Sequence, residues 1–262
     1  MTANLSLLPP EVPLLSVRGL SCSFGGVQAV VDVSFTASAG QVTGLIGPNG
    51  AGKSTTLGIV AGAIKATGGT VEFSGRDVTA LPSYRRARLG MVRTFQMRGE
   101  FDRLTVLENL LVAAPGQRGE RVRHLLSVRG GWRSQERDLV EQARALLDRF
   151  GIASHENTYA SELSGGQRRL MELARALMAA PRLLLLDEPM AGVSPTMRDV
   201  LGRHLLDVAR GGIGVVLVEH ELRFVEQVCE NVIVLAQGSI IGEGSMGALR
   251  EQAAVLDAYL AG

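Results

Sequence analysis

Gly47-Pro48-Asn49-Gly50-Ala51-Gly52-Lys53-Ser54-Thr55 follows the pattern Gly-x4-Gly-Lys-Ser, the residue types of a phosphate cradle. Glycines let successive backbone N–H groups curl around anionic oxygens with no Cβ in the way. A helix starting directly behind them aims its partially positive end at the same anion. Lys53, expected to be exposed on the loop, places a compact cation between the β and γ phosphates of a nucleoside triphosphate. Ser54 offers a hydroxyl to Mg²⁺. Further on, Leu183-Leu-Leu-Leu-Asp187-Glu188 reads as a buried apolar strand ending in two carboxylates. Such a strand delivers Asp187 rigidly to the shell of a metal ion and leaves Glu188 to polarise an attacking water.

Between these two stretches lies Leu163-Ser164-Gly165-Gly166-Gln167, at the start of a helix. By itself it is a capping serine followed by two flexible glycines. In this position it resembles the ATP-binding cassette family, whose LSGGQ motif it matches letter for letter. In that family the motif is a second phosphate grip. The resemblance therefore implies that Ser164, Gly165, Gly166 and Gln167 bind the ATP held by an opposite subunit. It covers about residues 14 to 245 and assigns further roles in chain order. Gln96, within Arg93-Thr94-Phe95-Gln96, corresponds to the glutamine that joins the Mg²⁺ and water site to a helical subdomain. His220 corresponds to the switch histidine at the γ-phosphate. Phe24 stands where the family stacks an aromatic on adenine, and Val27 adds an apolar wall. The catalytic set is then Glu188, His220 and Gln96, and the metal set Ser54, Gln96 and Asp187. One departure concerns Ala191-Gly192-Val193-Ser194, where the family usually reads Ser-Ala-Leu-Asp.

Within the family the chain is most similar to the ATPase subunits of branched-chain amino-acid-type importers. The shared features are Arg-Thr-Phe-Gln, the run Thr105-Val-Leu-Glu-Asn-Leu-Leu-Val-Ala, the pair Glu219-His220 and the ending Ala258-Tyr259-Leu260. Lipopolysaccharide-exporting ATPases are a second resemblance, and a soluble ATPase acting on DNA or ribosomes is a third reading. The first implies ATP and Mg²⁺ as cofactors. Its partners would be a second cassette (identical or paralogous), two membrane permeases and, indirectly, an extracytoplasmic solute-binding protein. It also implies a peripheral place on the cytoplasmic face of the plasma membrane. The connection from about 114 to 137 holds six arginines against two glutamates. It reads either as a solvated loop or as a surface abutting membrane subunits or anionic headgroups.

The elements that must position these residues follow from periodicity. Leu14 to Leu20, Val31 to Ala37, Gln41 to Ile46, Thr70 to Phe73, Leu183 to Leu186, Gly214 to Val218 and Val232 to Leu235 read as strands. Helices are expected from about Lys53 to Ala63, Gln167 to Ala179, Pro195 to Arg210 and Leu222 to Cys229. Leu104 to Ala113 reads as amphipathic, with Glu108 and Asn109 on its polar face, and Ser134 as the cap of a helix from Gln135 to Phe150. Strands alternating with helices imply an α/β fold. The expectation is a P-loop NTPase core with a parallel sheet, an N-terminal antiparallel β piece and a helical subdomain at about 98–180. Residues 1–13, interrupted by Pro9, Pro10 and Pro13, read as a flexible arm before a cassette domain at 14–262. A net charge of +1 over 262 residues gives no field for nucleic acid. Cys22 and Cys229 match no metal or disulfide spacing and read as buried small hydrophobes.

Overall fold

The structure, a computed structural model of the chain, describes residues 13–94, 101–117 and 131–260. Residues 1–12 of the expected arm, Gln96 and residues 118–130 of the arginine-rich connection lie outside the described residues. The chain divides into two compact units, one formed by residues up to 93, 182–191 and 198–262, the other by 94–181 and 192–197.

Among the described residues, ten strands belong to the first unit: β1 (Leu15–Phe24), β2 (Val27–Ala37), β3 (Val42–Ile46), β4 (Gly68–Phe73), β5 (Arg76–Asp77), β6 (Met91–Arg93), β7 (Leu183–Asp187), β8 (Gly214–Val218), β9 (Asn231–Ala236) and β10 (Ser239–Gly244). They form an antiparallel sheet in the order β2-β1-β4-β5 and a second sheet in the order β10-β9-β3-β8-β7-β6. In the second sheet every pairing is parallel except that of the edge strand β10. Residues in β3 and β8 are buried throughout, as the unbroken apolar runs require when both sheet faces are covered. One apolar core joins Leu15, Leu20, Phe35 and Val71 of the antiparallel sheet to Leu45, Leu183, Val216 and Ile233 of the parallel one.

β1 continues past the expected end at Leu20. Gly19 takes a positive φ of 60° and register shifts follow it, so the strand bends and goes on. Gly25 and Gly26, both at positive φ, then turn the chain in two residues and pair Phe24 with Val27. Cys22 is buried, whereas Cys229 is only partly so, and both thiols are free. Burial and, secondarily, the Glu219 charge push the Cys229 thiol up to about 12, which keeps it protonated.

Helices dominate the second unit, principally Val106–Val112, Gly131–Arg149 and Gly165–Met178. Thr105 and Glu108 cap the first reciprocally. Asn109 departs from the expected polar face, because it is buried and donates from Nδ2 to the carbonyls of Phe101, Leu104 and Thr105. Those bonds satisfy the loop entering the helix, and periodicity alone cannot reveal them. Ser134 is not a cap either, since the helix already runs from Gly131. A serine inside a helix costs only about half a kcal/mol, too little to stop one that packs.

Candidate functional site

Leu45, Val218 and Asp187 lie level across β3, β8 and β7. Because these strands are parallel, the loop at 47–52, the Glu219-His220 pair and Glu188 all leave the sheet at one edge. The carboxyl edge of a parallel sheet is where α/β folds bind ligands.

Two of the loop glycines are required by the protein's own backbone. A Cβ on Gly47 would stand 2.0 Å from the Leu235 carbonyl oxygen, and one on Gly52 2.4 Å from that of Ala29. Both residues hold positive φ, 146° and 97°. Gly50 alone faces open space at its φ of 79°. The cradle is thus shaped by the protein backbone packed behind it. Gly52 caps the helix Lys53–Val60 with no side-chain acceptor, which leaves the first-turn N–H groups available to an anion.

Lys53 is not the exposed residue the sequence suggests. It is only 5% exposed, and its Nζ donates to the carbonyls of Gly47 and Pro48 at 2.9 Å each. Burial pulls its pKa down, while the charges of Glu188 and then Asp187 oppose that. Asp187 has its two oxygens divided. Oδ1 accepts from Ser54 Oγ at 3.2 Å and Oδ2 from Arg93 Nη2 at 2.8 Å. Glu188 follows in a left-handed conformation, φ 49°, rare for a residue with a side chain. Its Oε1 lies 2.7 Å from Nε2 of His220. Thus the structure brings together Lys53, Ser54, Asp187, Glu188 and His220. Phe24 and Val27 sit at the hairpin end, 51% and 69% exposed.

Two residues near this edge escape sequence reasoning. Arg93 appears there only as a neighbour of Gln96, and Glu219 only as half of the Glu-His pair. Glu219 is 4% exposed, and burial pushes its carboxyl pKa up.

Ser164 to Gln167 belong to the second unit. Ser164 caps the helix Gly165–Met178, accepting from the Gln167 N–H, while Gln167 Oε1 accepts from the Ser164 N–H at 3.0 Å. Gln167 Nε2 also meets His155 Nε2 at 2.9 Å, so its side chain is engaged within the unit. A Cβ on Gly165 would have ordinary room, 3.7 Å from the nearest atom. On Gly166 it would press to 2.6 Å on Met197 Cγ.

Residues 30–191 match the family described as ABC transporter. The chain belongs to that family. Among curated relatives it is 38% identical to the probable branched-chain amino acid transport ATP-binding protein LivG of Archaeoglobus fulgidus, over 94% of this chain and 95% of that one. It is 35% identical to the high-affinity branched-chain amino acid transport ATP-binding protein BraF of Pseudomonas aeruginosa, over 95% and 98%. The lipopolysaccharide export system ATP-binding protein LptB of Haemophilus influenzae is 34% identical, over 94% and 97%. Among solved structures, the ADP conformation of MJ1267, an ATP-binding cassette of an ABC transporter, superposes with a TM-score of 0.84 at 32% identity, covering 96% of this chain and all of that one. As an ABC-family cassette the chain binds ATP and is an ATPase. Among the described residues no helix is long and apolar enough to cross a membrane.

Proposed function

We propose that this cassette hydrolyses ATP to drive an importer of branched-chain amino acids or related small polar solutes. The observation that carries the catalytic part is the convergence of Lys53, Ser54, Asp187, Glu188 and His220 on one edge of the parallel sheet. The relatives named for branched-chain amino acid transport support the cargo class.

In this reading the backbone of Gly47 to Gly52, with Pro48, Asn49 and Ala51, cradles the triphosphate, and Lys53 turns from its loop carbonyls to the outer phosphates. Thr55 contributes from the first helical turn. Phe24 stacks on the base beside Val27. Ser54 Oγ and Asp187 Oδ1 already meet, and this pair of hard oxygen donors fits Mg²⁺. When bound, the ion neutralises phosphate charge. Glu188 polarises a water, whose proton passes to the Glu188 carboxylate as its oxygen attacks the γ-phosphorus. The bond to the bridging oxygen breaks, leaving ADP and phosphate. His220, bonded to Glu188, holds that carboxylate in place and reaches the γ-phosphate. Gln96 couples this site to the membrane subunits. Ser164, Gly165, Gly166 and Gln167 cap the γ-phosphate of a second chain, so that ATP joins two cassettes.

The partners are then a second cassette, two permeases that anchor it to the cytoplasmic face of the inner membrane and, through them, a solute-binding protein. Tagged protein purified from detergent-solubilised membranes of its own cell should carry two polytopic proteins, and ATPase activity should rise with the cargo-loaded binding protein. Recovery of lipopolysaccharide-exporting membrane subunits, or of ribosomes or DNA, would overturn the importer reading.

A further inference from the structure

The turn that carries Glu188 is tied to the end of β8 at two points. The Glu188 N–H donates to the Val218 carbonyl at 2.9 Å. Two residues on, the Met190 N–H donates at 2.8 Å to Oε1 of Glu219, and Oε2 of the same side chain accepts from the His220 N–H at 3.2 Å. Within the turn, the Ala191 N–H closes back on the Glu188 carbonyl at 3.1 Å. One carboxylate thus links the backbone following Glu188 to the backbone of His220. It is almost wholly buried, an unfavourable place for a charge unless it is hydrogen-bonded. Glu188 itself sits in a strained backbone region, and strain of that kind persists only where the surroundings over-determine it.

We infer that Glu219 is a positioning residue of the ATPase: it clamps the Glu188–Ala191 turn to the His220 backbone and so holds the Glu188 carboxylate against the His220 ring. Glu219 touches neither substrate nor water in this role and acts only through the two residues it joins. The inference rests on the catalytic reading of Glu188 and His220. A misplacement of about 1 Å at a reacting group can cost roughly a hundredfold in rate.

Glu219→Ala removes both acceptors and should lower kcat by about a hundredfold, leaving KM for ATP and the binding of a fluorescent ATP analogue unchanged. Glu219→Gln keeps one oxygen acceptor in a side chain of equal length but turns its other end into a donor facing an N–H. Its kcat should fall between wild type and Glu219→Ala. That graded split between kcat and KM is what a merely structural carboxylate would not produce. Wild-type kcat in Glu219→Ala overturns the inference, as does a parallel fall in kcat and nucleotide affinity in both variants. If Glu219→Ala does not fold, the Gln variant decides alone: an unchanged kcat, or one lost together with ATP affinity, rejects the clamp. Normal turnover in Glu188→Gln would instead remove the catalytic reading beneath it, so the two failures are distinguishable.

Discussion

Glu188→Gln is expected to bind ATP as tightly as the wild type and to lose turnover by roughly a hundred- to ten-thousandfold, the span a general base contributes. The amide keeps the length of the side chain and can still meet His220 Nε2, now 2.7 Å from the carboxylate. It cannot accept a proton from an attacking water. With hydrolysis blocked, ATP should remain between two cassettes, and the variant should run as a dimer on size exclusion in MgATP and as a monomer without nucleotide. Normal turnover would reject Glu188 as the base.

Lys53→Ala should abolish hydrolysis and weaken ATP binding by roughly ten- to a hundredfold, the worth of one charge-assisted contact. Burial of Lys53 adds a second consequence. Its two bonds to the Gly47 and Pro48 carbonyls are lost as well, so the loop itself loosens. Lys53→Met, which fills the same space without donors, separates the effects: its melting temperature should exceed that of Lys53→Ala while hydrolysis stays absent. Lys53→Arg should not rescue activity, because a planar fork does not fit a cradle built around an ammonium. Isothermal titration with ATP checks the affinity, and full-strength binding by Lys53→Ala would contradict the phosphate-cradle reading.

Much of this was legible because catalysis here depends on short, contiguous motifs at strand ends. The run from Leu183 to Leu186 announces a buried strand, and the strand fixes where Asp187 and Glu188 emerge. Gly47 and Gly52 were legible as necessary, but their physical reason was not. The carbonyls of Leu235 and Ala29 that exclude a Cβ come from distant parts of the chain. The same limit hid Arg93, whose partner Asp187 lies on another strand; Asn109 was hidden because periodicity does not show a side chain turned back onto the nearby carbonyls of its own entering loop. β10 was missed because a half-buried edge strand with glycines at Gly242 and Gly244 shows no clear alternation. Glu219 looked like a label of one cassette type, whereas only the fold reveals it joining two loops.

The central claim is that each hydrolytic site is shared between two chains. Ser164 and its glycines lie in a different compact unit from Lys53, Asp187 and Glu188. On that claim a carboxylate placed at Gly165 would face a partner's triphosphate, and a Cβ there has ordinary room. Gly166 is the poorer choice, since Met197 would have to move. Gly165→Asp should therefore bind ATP normally as a monomer and fail to hydrolyse it. The deciding measurement is the ATPase rate of an equimolar mixture of Lys53→Ala and Gly165→Asp chains. A mixed dimer keeps one site in which the loop, the base and the opposing serine helix are all wild type. The shared site predicts activity in the mixture well above that of either variant alone. A mixture no more active than the mean of its two components, or normal hydrolysis by Gly165→Asp by itself, would contradict it.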